Sequence, residues 1–131
     1  MTHLLDSDVC VWLLRGRPEV RARAAAHVPG DLAVASMTEA ELRYGVLAGT
    51  RPGGMALVEA LLAELHVLPF DRAAARMHAE VRLALRRQPI GPGDLVIASV
   101  ALAHGLTVAT GNVREFARVP GLAVEEWAGE R

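Results

Sequence analysis

The chain has 131 residues, of which 52% are apolar and 22% charged, a balance that fits one compact domain spanning residues 1–131 with a buried core and excludes a disordered tail. A formal charge of −1 excludes a uniformly basic nucleic-acid binder and leaves room only for a local basic patch. All 14 basic residues are arginine, so Schiff-base chemistry, a phosphate-binding P-loop lysine and lysine general bases are excluded as well.

In chain order, His3-Leu4-Leu5 is a short apolar run ending in Asp6-Ser7-Asp8 and reads as a strand followed by a helix start. The N-terminus carries no basic stretch ahead of an apolar run, and no apolar stretch reaches the roughly 18 residues needed to cross a bilayer. A cytoplasmic protein without membrane contact is the expectation. Val9–Leu14 is apolar and helical in character, and Gly16 stops it. It contains Cys10, the single cysteine, which excludes an internal disulfide and a cysteine-ligated zinc. Pro18–His27 reads as a second short helix and Leu32–Ala35 as a buried strand.

Thr38–Leu47 reads as a helix. Thr38 and Glu41 have capping-box spacing, with Met37 and Leu42 placed as a hydrophobic staple. Arg51-Pro52-Gly53-Gly54 is a turn. Met55–Leu65 has apolar residues at a 3.6-residue period. His66–Phe70 is a strand, Asp71–Arg87 a long helix and Gln88–Gly93 a Pro/Gly loop. Asp94–His104 is a very apolar helix ended by Gly105, Leu106–Ala109 a strand, and Leu122-Ala123-Val124 a last short strand. Strands alternating with helices predict an α/β fold with a mainly parallel sheet covered on both faces. In such sheets ligands bind outside the carboxyl ends of the strands.

Asp6, Glu41, Asp94 and Asn112 all fall where that rule points, with Glu115 three residues beyond Asn112 and Asp8 and Glu39 close by. Each has a plain structural reading: Asp6 or Asp8 as a helix cap, Glu41 as the capping-box partner, Asp94 at a helix start, Asn112 in a turn. Together they form a different pattern. Carboxylates converging on one sheet edge repel each other unless protons or a cation neutralise them. A hard divalent ion with oxygen ligands, Mg²⁺ or Mn²⁺, suits such a set, and it serves phosphodiester hydrolysis.

At these residues the sequence resembles the PIN-domain family. Leu4-Leu5-Asp6-Ser7-Asp8-Val9 resembles its opening strand. Thr38-Glu39-Ala40-Glu41-Leu42-Arg43-Tyr44-Gly45 resembles its second motif, and Ile90-Gly91-Pro92-Gly93-Asp94-Leu95-Val96-Ile97-Ala98 its third. Thr110-Gly111-Asn112-Val113-Arg114-Glu115-Phe116, followed by Val119-Pro120-Gly121-Leu122, resembles the fourth, as in VapC-like toxins of type II toxin–antitoxin systems. The resemblance implies a three-layer α/β/α sandwich and a Mg²⁺-dependent endoribonuclease that uses water to cleave RNA (Mn²⁺ a possible substitute). It also implies inhibition by a cognate antitoxin and a homodimer. Asp6, Glu41 and Asp94 match the family's acidic triad, Asp6 and Asp94 as the most direct metal ligands and Glu41 as the residue completing the shell. Asn112 falls where many PIN domains carry a fourth acid, and Glu115 is a candidate to supply that charge. Gly111 stands where asparagine is frequent.

With a net charge near zero, RNA has to be held by local arginines. Arg15 and Arg17, with Arg21 and Arg23 following, and Arg114 and Arg118 near the fourth strand are the candidates, Arg114 foremost because it flanks Asn112. The five histidines show no ligand spacing and are read as structural. Trp12 and Trp127 fit a core or an interface equally well. Two other functions remain open at this stage. Asp6-Ser7-Asp8 resembles the nucleophile motif of aspartyl-phosphate phosphatases and phosphotransfer domains, though these usually need a lysine beside the phosphate. A PIN-like module that binds RNA or protein without turnover is the other.

Overall fold

The computed structural model describes residues 1–49 and 53–127. Five strands form one sheet: β1 (His3–Leu5), β2 (Leu32–Ala35), β3 (His66–Leu68), β4 (Thr107–Thr110) and β5 (Val124–Glu126), in the order β3-β2-β1-β4-β5. All four pairings are parallel. Seven helices accompany them among the described residues: α1 (Ser7–Leu14), α2 (Pro18–Ala25), α3 (Ser36–Ala48), α4 (Gly54–Ala63), α5 (Arg72–Ala84), α6 (Pro92–His104) and α7 (Val113–Phe116).

The strands alternate their side chains between two cores, because successive residues of a strand point to opposite faces. Leu4, Ala33, Ala35 and Val108 join Ala74 and Val81 of α5 and Ile97 and Val100 of α6. Leu5, Val34 and Ala109 point the other way, onto Val9 and Cys10 of α1, Val20 of α2, Leu42 of α3, Val58 of α4 and Trp127. The result is the expected three-layer sandwich. Trp127 proves to be a core residue, only 1% exposed. Helix α6 is buried along Ile97–Ala101, which explains its nearly uninterrupted apolar sequence: it lies against the sheet and is covered by α5.

The chain builds outward from β1 in one direction (β2, β3) and from β4 in the other (β5). The switch of direction falls between β1 and β4. In an open parallel sheet the crevice at such a point, beyond the strands' carboxyl ends, is where ligands bind. Asp6 follows β1 there, and Thr110 ends β4.

Several boundaries differ from the sequence reading. Helix α3 begins at Ser36, with Ala35 in the capping position, so Thr38 lies inside the first turn, fully buried, and the Thr38/Glu41 capping box does not form. Nor is Met37 stapled to Leu42, since the two pack into opposite cores. Helix α6 starts at Pro92, which puts Asp94 in its first turn rather than at its head. Helix α5 stops at Ala84, three residues short of Arg87. Strand β3 ends at Leu68, β4 runs one residue later than expected, to Thr110, and β5 begins only at Val124. Of the expected turn at 51–54, Arg51 and Pro52 lie outside the described residues, and Gly53 takes a left-handed conformation (φ 74°) just before α4.

Candidate active site

Asp6 is the keystone of the switch point. It leaves β1 in extended conformation and caps α1, its Oδ1 accepting the Ser7 backbone N–H at 2.7 Å. Its Oδ2 accepts the Thr110 hydroxyl at 2.7 Å. The Asn112 backbone N–H in turn donates to the Thr110 Oγ1 at 2.8 Å. The relay from Asn112 through Thr110 fixes a buried carboxylate, 6% exposed, between β1 and β4. Asp8, in the first turn of α1, accepts the Gly111 N–H at 3.0 Å and so pins the loop after β4 to the same helix.

Three further acids come from other elements. Glu41, exposed on α3, accepts a hydrogen bond from the Ser7 hydroxyl. A side-chain carbon at Gly93 would lie 3.5 Å from Glu41 Oε2, and one at Gly91 3.7 Å from Asp94 Oδ2. Both are ordinary van der Waals distances, and they place the start of α6 beside Glu41. Asp94 is half-buried in the first turn of α6. Glu115, half-buried on α7, accepts the Gly91 N–H at 3.0 Å.

These groups feel one another. Burial first, then the Asp8 carboxylate, pushes the Asp6 carboxyl from 3.8 up to about 7, against the opposing hydrogen bonds from Thr110 and Ser7. Burial followed by Glu115, Glu41 and Asp8 raises Asp94 as well. The buried Cys10 thiol is also pushed up, by burial and then by Asp6, Asp8 and Glu41. Among the described residues no arginine or histidine forms an ion pair with Asp6, Glu41, Asp94 or Glu115. Nor are any three His, Cys, Asp or Glu side chains there gathered into a finished ligand cage. The acids are therefore grouped by field. The donor set of Asp6, Glu41, Asp94 and Glu115 is all oxygen, which suits a hard divalent ion.

The structure thus brings Asp6, Glu41, Asp94 and Glu115 into one acidic edge and adds Asp8 to it. Asn112 contributes its backbone N–H, while its exposed side chain joins none of these hydrogen bonds. Sequence reasoning missed Thr110 and Ser7, the two hydroxyls that orient Asp6 and Glu41. Their signal was position alone: Thr110 is the last residue of its strand, and Ser7 separates two aspartates. Gly111 also gains a physical reason. A side-chain carbon there would sit 2.4 Å from the Trp12 ring and 3.0 Å from Asp8 Oδ2, so Trp12 excludes any larger residue.

Of the expected arginines, Arg15 and Arg114 are exposed. Arg17 is engaged, pairing with Glu19 at 2.6 Å and lying over the Trp12 ring at 4.7 Å. The buried polar Thr38 keeps an unpaired Oγ1. No helix among the described residues is long and apolar enough to cross a membrane.

Comparison with known proteins gives the family. The PIN-domain family model matches residues 3–122. The chain is 36% identical to a tRNA(fMet)-specific endonuclease VapC of Shigella flexneri, over 98% of this chain and 99% of that one. Among solved structures it is similar to DNA-bound VapBC from Salmonella typhimurium, with a TM-score of 0.91, 34% identity, and 98% and 99% of the two chains covered. It is also similar to VapBC2 from Rickettsia felis bound to a promoter DNA fragment, with a TM-score of 0.88, 28% identity, and 97% and 99% covered. The chain belongs to the PIN-domain family and is an endoribonuclease of the VapC type.

Proposed function

We propose that this protein is the toxin of a type II toxin–antitoxin pair, a cytoplasmic ribonuclease that hydrolyses RNA phosphodiester bonds with Mg²⁺, Mn²⁺ serving in its place. The observation that carries the reading is the acidic edge itself: Asp6 after β1, Glu41 of α3, Asp94 of α6 and Glu115 of α7 share one field, and none of these four forms an ion pair with an arginine or histidine among the described residues. A fold stabilised for its own sake would pair or protonate such groups. The VapBC likeness supports a small protein antitoxin as partner. A homodimer belongs to the same reading.

In this reading Asp6, Asp94 and Glu41 hold the divalent ion. When bound, it supplies Lewis acidity toward water and toward the phosphodiester. The chain's own residues do the rest. Thr110 and the Ser7 N–H hold both oxygens of Asp6 in place. The Ser7 hydroxyl holds Glu41. Glu115, tied to Gly91, keeps the α6 start against α7 and adds negative charge beside Asp94. A cation held there would favour the ionised form of the Asp6 carboxyl, which burial disfavours, so its binding would depend on pH.

The absence of lysine weighs against the aspartyl-phosphate alternative. The test is cleavage of RNA by the purified chain. The Shigella relative's name supplies the first substrate to try, tRNA(fMet). Cleavage with Mg²⁺ that stops with EDTA and with Asp94→Asn is expected. Metal-independent cleavage, or full activity in the variant, would overturn the assignment.

A further inference from the structure

A polyanion approaching an acidic edge needs a compensating cationic surface nearby, and the structure places one beside it. Between Val81 and Gly93 the chain carries Arg82, Arg86 and Arg87 and no acid. Arg86, Arg87 and Gln88 face Arg118, which follows α7, across a concavity of about 580 Å³ lined by no carboxylate. Arg86 Nη1 donates to the Leu83 carbonyl at 3.1 Å, and Arg118 Nη2 donates to the Gln88 carbonyl. Both guanidinium groups are thereby oriented and neither is neutralised. Arg87 makes no hydrogen bond or ion pair with any described residue. Three arginines elsewhere do take carboxylates, Arg17 with Glu19, Arg23 with Glu125, and Arg43 with Glu39 and Glu59; what sets Arg86, Arg87 and Arg118 apart is that they line one hollow together.

Three guanidinium groups around one hollow repel each other unless an anion joins them, and their fork of N–H donors matches phosphate. The hollow is also braced against the acids. The loop that carries it is tied to the α7 segment at both ends, through Arg118 to Gln88 and through Gly91 to Glu115. Gln88 and Gly91 are separated by at most about 11 Å of chain, so the phosphates neighbouring a bond held at the acids fall within reach.

We propose that Arg86, Arg87 and Arg118 form a binding site for the RNA backbone phosphates flanking the cut. This rests on the nuclease reading above. It keeps Arg118 of the arginines expected from the sequence, sets aside Arg15 and Arg17 around the end of α1, and adds Arg86 and Arg87 of the loop between α5 and α6.

The test measures binding of fluorescently labelled tRNA(fMet) to the full chain in an Asp94→Asn background, as a function of salt. Arg87→Gln is expected to weaken binding about threefold to tenfold and to reduce the slope of log affinity against log salt by about 1. Arg87→Lys restores the slope. Arg118→Gln acts likewise, and Arg87, which braces nothing, keeps the test independent of loop folding. Arg72→Gln with Arg76→Gln, at the far end of α5, is the control and leaves the slope unchanged. An unchanged slope in Arg87→Gln, or an equal loss in the control, overturns the proposal. So does weakening of antitoxin binding with RNA binding intact, which would make the hollow a protein contact. Hydrolysis of bis(p-nitrophenyl) phosphate and of RNA by the unsubstituted chain with Mg²⁺ separates the two failures. If the unsubstituted chain cleaves neither, the nuclease reading fails. If it cleaves them and the arginine variants bind normally, only the arginine site fails.

Discussion

Two carboxylates at the sheet show opposite chemistry. Glu125, on edge strand β5, accepts the Trp127 indole N–H at 2.8 Å, meets His3 at 3.1 Å and Arg23 at 3.2 Å, and is held below its ordinary range chiefly by the Trp127 bond and then by His3 and Arg23. Asp6, at the switch point, has hydrogen-bond donors but the carboxylates of Asp8 and Asp94 as the charged groups acting on it among the described residues, and is pushed up. The first is what a stable fold does with an acid. The second costs stability, and its retention marks the carboxyl edge of β1 and β4 as the place where this chain keeps a charge for a ligand.

Breaking the acidic edge should have the largest effect. Asp6→Asn or Asp94→Asn is expected to lower RNA cleavage about a thousandfold, the several kcal/mol that a metal's Lewis acidity is worth, with the circular dichroism of the fold retained.

The next effect is on stability and has the opposite sign. The folded-state pKa of Asp6 lies near 7 and its unfolded value near 3.8. As pH rises through this window the unfolded chain loses the proton first, so the metal-free fold is progressively penalised from about pH 4 to about 7 and fully penalised above. Metal-free Asp6→Asn should therefore be more stable than the unsubstituted chain at pH 8, by something on the order of 3 kcal/mol, and no more stable at pH 4. Urea unfolding at the two pH values checks it.

Gly111→Ala sharpens the packing side of the comparison. Its added carbon would overlap the Trp12 ring, and a loss of about 2 kcal/mol is expected by thermal melting. Glu125→Gln is the smallest change. Its ion pairs are partly exposed, so a shift of under about 1 kcal/mol is expected in the same melts.

Most of this architecture was legible in the sequence. Alternation of short apolar runs with helical periods gave the layers, and Asp6, Glu41, Asp94 and Glu115 were visible because strand ends are where parallel sheets collect chemistry. The partners of those acids were not. Thr110 bonds Asp6 across 104 positions and Ser7 bonds Glu41 across 34, and only the sheet order brings such pairs together. The Thr38/Glu41 spacing misled because a capping box is a local signal, whereas the helix had already begun at Ser36 directly after β2. Arg17 looked free in sequence and is tied to Glu19 and Trp12. The arginine hollow was invisible because Arg118 lies 30 residues beyond Gln88.

Isothermal titration of the purified, metal-free chain with Mn²⁺ or Mg²⁺, repeated on Asp94→Asn, tests the central claim most directly. A saturable heat in the unsubstituted chain that disappears in the variant, with the fold intact in both, is the predicted result. Equal heats in the two proteins, or none in the first, would contradict it.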